Sequence, residues 1–145
     1  MTNSDDQALS RDDLPLTAGF LFALTATLGA LFIGEVLGQM PCTLCWYQRI
    51  AMFPLVPILG LSLLRGDGMA RRYGLPLALV GFALAGWHSG LNAGWIPQEV
   101  APCTKDGPSC SGPAQMILGL SIPYLSLAAF AVILACLLMP RENRT

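Results

Sequence analysis

Four long stretches of this 145-residue sequence are nearly free of charge, and they limit the folds that the chain can adopt. They cover about residues 14–36, 46–64, 74–95 and 115–139, and the charged residues inside them are Glu35 and Arg49. Each stretch is close to or longer than the roughly 20 residues that an α-helix needs to cross a bilayer. The sequence therefore predicts four transmembrane helices in a single integral membrane domain over residues 1–145.

The composition excludes other classes of protein. Charged residues make up 12% of the chain and apolar residues 54%, whereas an ordinary soluble domain carries roughly 25% charged residues. So few charges cannot cover a soluble globule, and so much apolar surface argues against a disordered chain. The net charge of −1 gives no electrostatic reason to expect nucleic-acid binding. We predict an all-α membrane protein whose four helices form a bundle in the lipid bilayer.

The basic residues predict the orientation of the bundle. Cytoplasmic segments of membrane proteins carry an excess of Lys and Arg. Both termini and the loop after the second span are therefore predicted to be cytoplasmic, and the loops at about residues 38–46 and 95–114 to face outward. The first stretch follows an acidic leader and is predicted to be a retained span rather than a signal peptide. The basic residues on the predicted cytoplasmic side are Arg11, Arg65, Arg71, Arg72, Arg141 and Arg144.

Four of the five cysteines lie in the two outward loops, as two pairs. Cys103 and Cys110 are separated by six residues, a spacing that suits a structural disulfide as well as a redox pair. Cys42 and Cys45 form a Cys-x-x-Cys motif, which closes a ring too small to stabilise the fold much. That motif is typical of redox pairs in which one thiol is held as a thiolate. The fifth cysteine, Cys136, is predicted to be a small apolar filler in the last span.

Three ionisable side chains are predicted to lie at similar depth beneath these loops. Arg49 follows Cys45 by four residues and so shares its helix face. It can anchor the helix end at the headgroups, or stabilise a thiolate or an anionic cofactor oxygen. His88 and Glu35 fall near the outward ends of the third and first spans. Each is either a packed or interfacial residue or part of a site, since ionisable residues within spans are often functional.

A dithiol that becomes a disulfide must release two electrons. In a membrane protein of this size the natural acceptor is soluble in lipid, and a quinone ring could lie against Cys45 near interfacial aromatic residues. A partner thiol would attack one outward disulfide, and thiol–disulfide exchange would pass the electrons to the second pair. The aromatic residues near this position are Trp46, Tyr47, Trp87 and Trp95.

Other classes of function remain open at this point. Four outward thiolates could bind zinc or a softer metal ion, or pass such an ion across the bilayer, although the six-residue spacing is longer than usual for zinc ligands. The disulfides could instead be purely structural and stabilise the loops of a structural or assembly subunit. A thiol oxidoreductase similar to vitamin K epoxide reductase also has four helices, but its redox pair usually comes late in the chain.

The longest motif resembles a known family. The stretch from Glu35 to Leu55 reads EVLGQMPCTLCWYQRIAMFPL and closely resembles the signature of the DsbB family of disulfide bond formation proteins, above all its short-loop, BdbC-like branch. The resemblance continues through His88, the pair formed by Cys103 and Cys110, and Ile122-Pro123, and covers most of the chain. Better-known members carry a much longer second loop with an interfacial helix, whereas six residues separate these two cysteines.

The resemblance implies an enzyme of the bacterial inner membrane with its redox loops in the periplasm. Such a quinone-dependent thiol oxidase reoxidises a soluble thioredoxin-fold oxidase of the DsbA type and passes the electrons to ubiquinone or menaquinone. It implies that Cys103 forms the mixed disulfide with this partner and that Cys110 resolves it. Cys42 would then receive the electrons, and Cys45 would be the thiolate that touches the quinone. Arg49 and His88 would support the quinone site.

Overall fold

The computed structural model of the chain describes residues 13–97, 110 and 116–140. These residues are mostly helical. One helix ends in a short π-helical turn, and another helix begins after one. The elements are α1 (Leu14–Leu31), α2 (Thr43–Met52), α3 (Leu55–Arg65), α4 (Leu75–Asn92), β1 (Met116–Ile117), β2 (Leu120–Ser121) and α5 (Ile122–Leu138).

The first helix ends in a π-helical turn. Helix α1 has a proline in its first turn, where the missing N–H costs nothing, and it runs into the turn over Phe32–Val36. There the N–H of Leu37 donates to the carbonyl oxygen of Phe32 at 3.1 Å, five residues back. Such turns occur often at functional sites because they change which groups a helix presents.

The second long helix is interrupted at a proline. Helix α2 ends at Met52 and α3 begins at Leu55, because Pro54 and Pro57 disturb the backbone hydrogen bonds between them. Pro57 has no N–H to donate, and the carbonyl oxygen of Phe53 accepts from the N–H of Val56 at 3.3 Å instead. The two helices still form one apolar segment, Thr43–Arg65.

A polar turn connects this segment to the next one. Gly66 ends α3 in the left-handed conformation, with φ of 66°. The buried hydroxyl of Ser62 donates to the carbonyl oxygen of Asp67 at 2.8 Å and accepts from the N–H of Ala70 at 3.2 Å. A π-helical turn over Ala70–Gly74 then leads into α4.

The last helix begins later than the sequence suggests. The fourth span was expected to begin near Gln115, which lies outside the described residues, but α5 begins at Ile122. A tight hairpin of β1 and β2 comes first, with positive φ at Leu118 (52°) and Gly119 (81°). Uninterrupted hydrophobicity does not distinguish such a hairpin from a helix. Pro123 sets the boundary, because proline favours the first turn of a helix.

The helices pack around an apolar core. Helix α5 packs against α1 and α4, while α2 packs against α4 and α3 against α1. Phe130 of α5 is fully buried, and its ring fills the space where a side chain at Gly81 would lie. The core also contains Leu55, Leu59, Ala78, Ala85, Ile133 and Leu137.

The outer surface of the bundle is apolar, as a lipid environment requires. Large side chains such as Phe22, Leu64 and Val80 are exposed on the helices. Within the described residues, three helical segments are long and apolar enough to cross a membrane, namely Leu14–Val36, Thr43–Arg65 and Ala70–Asn92. The apolar helix Ile122–Leu138 is shorter. This architecture is that of a mostly helical membrane protein, and the four-span count and the cytoplasmic termini stay predictions.

Candidate active site

The Cys-x-x-Cys motif forms the N-terminal end of α2. Cys42 is the N-cap residue, and its extended backbone (φ −68°, ψ 168°) turns the sulfur back over the first turn of the helix. There Cys42 Sγ accepts a hydrogen bond of 3.2 Å from the backbone N–H of Cys45. The two sulfur atoms lie 2.7 Å apart, so the pair needs little movement to interconvert between dithiol and disulfide.

This position lowers the pKa of the Cys42 thiol from 9.0 to about 4. The hydrogen bond between the Cys42 and Cys45 sulfurs contributes most to the lower pKa. Burial opposes the shift, and His88 and the backbone N–H of Cys45 lower the pKa further. A helix N-terminus also favours an anion, since its N–H groups and dipole point toward it. In the reduced pair the negative charge is therefore expected on Cys42, whereas the family resemblance implied a thiolate at Cys45.

His88 connects the two cysteine-bearing parts of the chain. Its side chain is fully buried, and its Nε2 lies 3.8 Å from Cys42 Sγ and 3.0 Å from the carbonyl oxygen of Cys110. On the other side of the ring, Nδ1 lies 3.0 Å from the amide nitrogen of Gln48. Sequence reasoning did not single out Gln48, although a polar amide one position before Arg49 in an apolar span is a signal that could have found it.

Cys110 of the second cysteine pair approaches the first pair from the side of His88. Cys110 is buried and disulfide-bonded, and it packs in one cluster with Cys42, Leu44 and Leu91. Its predicted partner Cys103 lies outside the described residues. The cluster brings a disulfide-bonded cysteine of one predicted outward loop next to the redox motif of the other.

A cavity of about 330 Å³ lies beside the motif. Its volume is at the lower end of the range for small-molecule sites. Cys45, Gln48 and Arg49 give it a polar side, and apolar side chains form most of the rest. Neither Cys42 nor His88 is among the described residues that line it. Of the two cysteines of the motif, Cys45 alone is among the described residues that line the cavity, and it also packs against the cluster of Cys42 and Cys110.

Arg49 is held in the wall of this cavity. Its Nη2 donates to the carbonyl oxygen of Ala30 at 2.8 Å, and its guanidinium lies 5.5 Å from the centre of the Trp46 ring. A Cβ atom on Gly34 would come within 3.2 Å of both terminal guanidinium nitrogens, so the glycine leaves the space that Arg49 occupies. Neither Ala30 nor Gly34 was identified from the sequence, because only the packing of α1 against α2 brings them to Arg49.

The other predicted residues lie farther from the cavity. Glu35 is exposed on the π-helical turn. Trp46, Tyr47, Trp87 and Trp95 are also exposed, and none is among the described lining residues. Cys136 is partly buried near Gly19 of α1. A Cβ atom placed on Gly19 would lie 3.3 Å from the Cβ atom of Cys136.

A metal ion is the other species that these side chains could bind. The ligand atoms of Cys42, Cys45 and His88 all lie within 4.8 Å of one another. However, the carbonyl oxygen of Cys110 can only accept a hydrogen bond, so Nε2 of His88 must carry a proton to contact it at 3.0 Å. A protonated nitrogen cannot coordinate a metal ion, and the observed geometry fits a thiol redox site better.

Comparison with known proteins agrees with this geometry. The sequence profile of the family described as "Disulfide bond formation protein DsbB" matches residues 13–140. The chain belongs to the DsbB family. The match covers α1 through α5 and both cysteine-bearing segments, so this DsbB-family chain is a disulfide oxidoreductase that acts in disulfide bond formation.

Individual relatives of this DsbB-family chain carry similar descriptions. A "Probable disulfide formation protein" of Metapseudomonas resinovorans is 50% identical over 127 residues, which cover 87% of this chain and 88% of the relative. "Disulfide bond formation protein C" of Bacillus subtilis (strain 168) is 39% identical over 137 residues, 88% of this chain and 94% of the relative. No solved structure was found that matches the chain.

Proposed function

We propose that this chain is a quinone-dependent thiol oxidase of the bacterial inner membrane. It reoxidises a periplasmic thioredoxin-fold dithiol oxidase of the DsbA type and passes the electrons to ubiquinone or menaquinone. The observation that carries the proposal is the position of the Cys42–Cys45 pair. Cys42 packs with the disulfide-bonded Cys110, and Cys45, which packs against the same cluster, also lines the cavity.

The first step takes place at the pair formed by Cys103 and Cys110. A thiolate of the reduced partner attacks Cys103, a mixed disulfide forms and Cys110 leaves as a thiolate. The second thiol of the partner, rather than Cys110, resolves the mixed disulfide, because attack by Cys110 would only release the reduced partner again. The partner is then oxidised, and Cys103 and Cys110 are reduced. Two electrons and two protons have then moved from the partner to this chain.

The second step transfers these electrons between the two pairs. The Cys110 thiolate attacks Cys42 in the Cys42–Cys45 disulfide, and Cys103 then attacks the resulting mixed disulfide at Cys110. The pair formed by Cys103 and Cys110 is oxidised again, and Cys42 and Cys45 are left as one thiolate and one thiol. The clustering of Cys42 with Cys110 supports this order. The low pKa of Cys42 makes it a good leaving group in the second attack, when Cys103 attacks Cys110.

The cavity beside Cys45 fits a quinone headgroup. It combines an apolar wall from α1 and α5 with the guanidinium of Arg49 and the amide of Gln48, so it offers donors to carbonyl oxygens as well as a surface for a flat ring. When bound there, a quinone would take the two electrons of the reduced pair, one proton from its thiol and a second proton from solvent. Arg49 would orient its oxygen and Cys45 would face the ring. The position of His88 supports a role at the cysteines more than at the quinone.

The proposed topology follows from the same arrangement. Both termini are cytoplasmic, and α5, although short, is the fourth span. At 1.5 Å per residue its 17 residues extend about 26 Å, close to the roughly 30 Å of a bilayer's hydrocarbon core. The cysteine loops are then at the periplasmic face, where disulfides persist.

The test is oxidation of a reduced DsbA-type protein by the purified chain in detergent or nanodiscs, with and without added ubiquinone or menaquinone. We expect quinone-dependent oxidation that Cys45→Ala abolishes. A partner variant that keeps only its attacking cysteine should be trapped in a covalent complex with Cys103 of the oxidised chain, because no second partner thiol can resolve the mixed disulfide. A rate that added quinone does not change, together with stoichiometric zinc binding, would favour the metal-binding alternative.

A further inference from the structure

His88 is the only histidine in the sequence, and each of its ring nitrogens contacts a different part of the chain. Nδ1 lies 3.0 Å from the side-chain amide nitrogen of Gln48 in α2. Nε2 lies 3.0 Å from the carbonyl oxygen of Cys110 and 3.8 Å from Cys42 Sγ. Both His88 and Gln48 are buried, the first fully and the second to all but 5% of its surface, so water does not compete freely for these contacts.

Two of these contacts select the same tautomer of the ring. The amide nitrogen of Gln48 can only donate, so Nδ1 must present a lone pair. The carbonyl oxygen of Cys110 can only accept, so Nε2 must carry the proton. These contacts come from different segments of the chain, yet each is satisfied by one neutral form of the imidazole. The arrangement is complete without a proton on Nδ1.

We propose that Gln48 is a positioning residue that fixes His88 with its proton on Nε2, and that this single N–H is shared between the Cys110 carbonyl oxygen and the Cys42 sulfur. His88 thereby fastens the second cysteine segment beside the first cysteine pair. The link to electron transfer rests on the proposed function, whereas the tautomer and its dependence on Gln48 do not.

The shared N–H makes the attachment sensitive to the redox state of the first pair. When Cys42 is in a disulfide, its sulfur is a weak acceptor, and the carbonyl oxygen of Cys110 at 3.0 Å holds the proton. When the disulfide takes up two electrons and one proton, Cys42 becomes a thiolate. Hydrogen bonds to ionised acceptors are roughly twice as strong as neutral ones, so the N–H shifts toward the sulfur and the hold on the Cys110 segment weakens.

Nitrogen NMR of the single histidine tests the tautomer directly. In protein labelled with ¹⁵N-histidine, we expect a protonated (pyrrole-type) Nε2 and an unprotonated (pyridine-type) Nδ1. The substitution Gln48→Glu replaces the donor with an acceptor, so Nδ1 should become protonated. The variant Gln48→Met offers neither and should give a mixture of tautomers. Asn92→Leu is the matched control, because Asn92 lies one turn further along α4 and bonds to Ser121 instead.

A redox titration of the same signals tests whether the N–H is shared with Cys42. Reduction of the wild-type protein with dithiothreitol should shift the Nε2–H resonance, and Cys42→Ala should remove most of that shift. In stopped-flow measurements, Gln48→Met should slow exchange between the two cysteine pairs by about three- to tenfold, the effect of one lost hydrogen bond. A wild-type spectrum with the proton on Nδ1, or signals that both Gln48 variants leave unchanged, would overturn the proposal. A quinone-independent protein with the expected spectra would instead overturn only the proposed function.

Discussion

The Arg49 guanidinium donates a 2.8 Å hydrogen bond to the carbonyl oxygen of Ala30, and this contact fixes a cation between α1 and α2. The π-helical turn that begins at Phe32 follows immediately, and Gly34 within it leaves room for the guanidinium. A charged side chain in an apolar span costs about 3 kcal/mol on insertion scales. A hydrogen bond to backbone offsets part of that cost and keeps the charge at the wall of the cavity beside Cys45.

Replacing Arg49 with Ala is expected to weaken the use of quinone while leaving exchange with the partner nearly unchanged. A lost hydrogen bond from a charged group costs about 1.5–3 kcal/mol, so KM for the quinone should rise about tenfold or more. Steady-state oxidation at varied quinone concentration measures KM, and trapping of the mixed disulfide measures partner exchange.

The matched control is Arg65→Ala, which removes an exposed arginine at the far end of the same apolar segment. Gly34→Ala should raise KM for the quinone less than Arg49→Ala does, because its new Cβ atom would lie 3.2 Å from the guanidinium nitrogens and displace them slightly. Equal KM values for the wild type and Arg49→Ala would remove Arg49 from the quinone site.

The reduction potential of the Cys42–Cys45 pair should fall by about 30 mV per pH unit between pH 5 and 8. The pKa of Cys42 is lowered from 9.0 to about 4, so reduction in this range takes up one proton with two electrons, and each proton contributes about 30 mV per unit. Below pH 4 the thiolate becomes protonated and the slope should approach about 60 mV. This dependence of the reduction potential on pH is measured by redox titration against glutathione or dithiothreitol buffers, in protein with Cys103 and Cys110 changed to Ala.

The same shift predicts how the reduced protein's stability depends on pH. A lowered thiol pKa in the folded state stabilises that state fully above pH 9, and the contribution is lost as pH falls toward 4. The oxidised protein has no thiol at this position, so its stability should lack this dependence. A slope near 60 mV across pH 5–8, or identical pH profiles for both redox forms, would contradict a thiolate at Cys42.

Gly81→Ala should destabilise the bundle by about 1–3 kcal/mol, the usual cost of overpacking a core. A Cβ atom at Gly81 would overlap the ring of Phe130, whose side chain is fully buried between helices. Gly86→Ala is the control on the same helix, because its nearest contact would be 4.0 Å away at Leu127. Thermal unfolding in detergent compares the two variants, and a Gly81→Ala protein as stable as Gly86→Ala would show that α4 and α5 pack less tightly here.

Cys136→Ala should retain full activity and near-normal stability. Cys136 is a free thiol in α5 that packs near Gly19, and none of the proposed electron-transfer steps uses it. The quinone-dependent oxidation assay and thermal unfolding check this together. An inactive variant that unfolds at the wild-type temperature would show that Cys136 takes part in the chemistry.

Much of the candidate site was predictable from local sequence. Cys42 and Cys45 are identified by their spacing, and the start of a helix there follows from the long apolar stretch after them. Arg49 follows because residues four apart share a helix face. These predictions depend on contacts within one helix, whose geometry fixes the neighbours of each residue.

The sequence by itself determined the apolar helical segments, the membrane setting and the Cys-x-x-Cys motif, since these follow from hydrophobic length and short spacings. Only the tertiary structure decided which side chains surround each sulfur. Gln48, Ala30 and the Cys110 carbonyl oxygen reach His88 or Arg49 through packing of different helices and loops, which no spacing along the chain encodes. The late start of α5 was also decided only by the tertiary structure, because a hairpin and a helix bury the same apolar residues and differ only in their backbone turns.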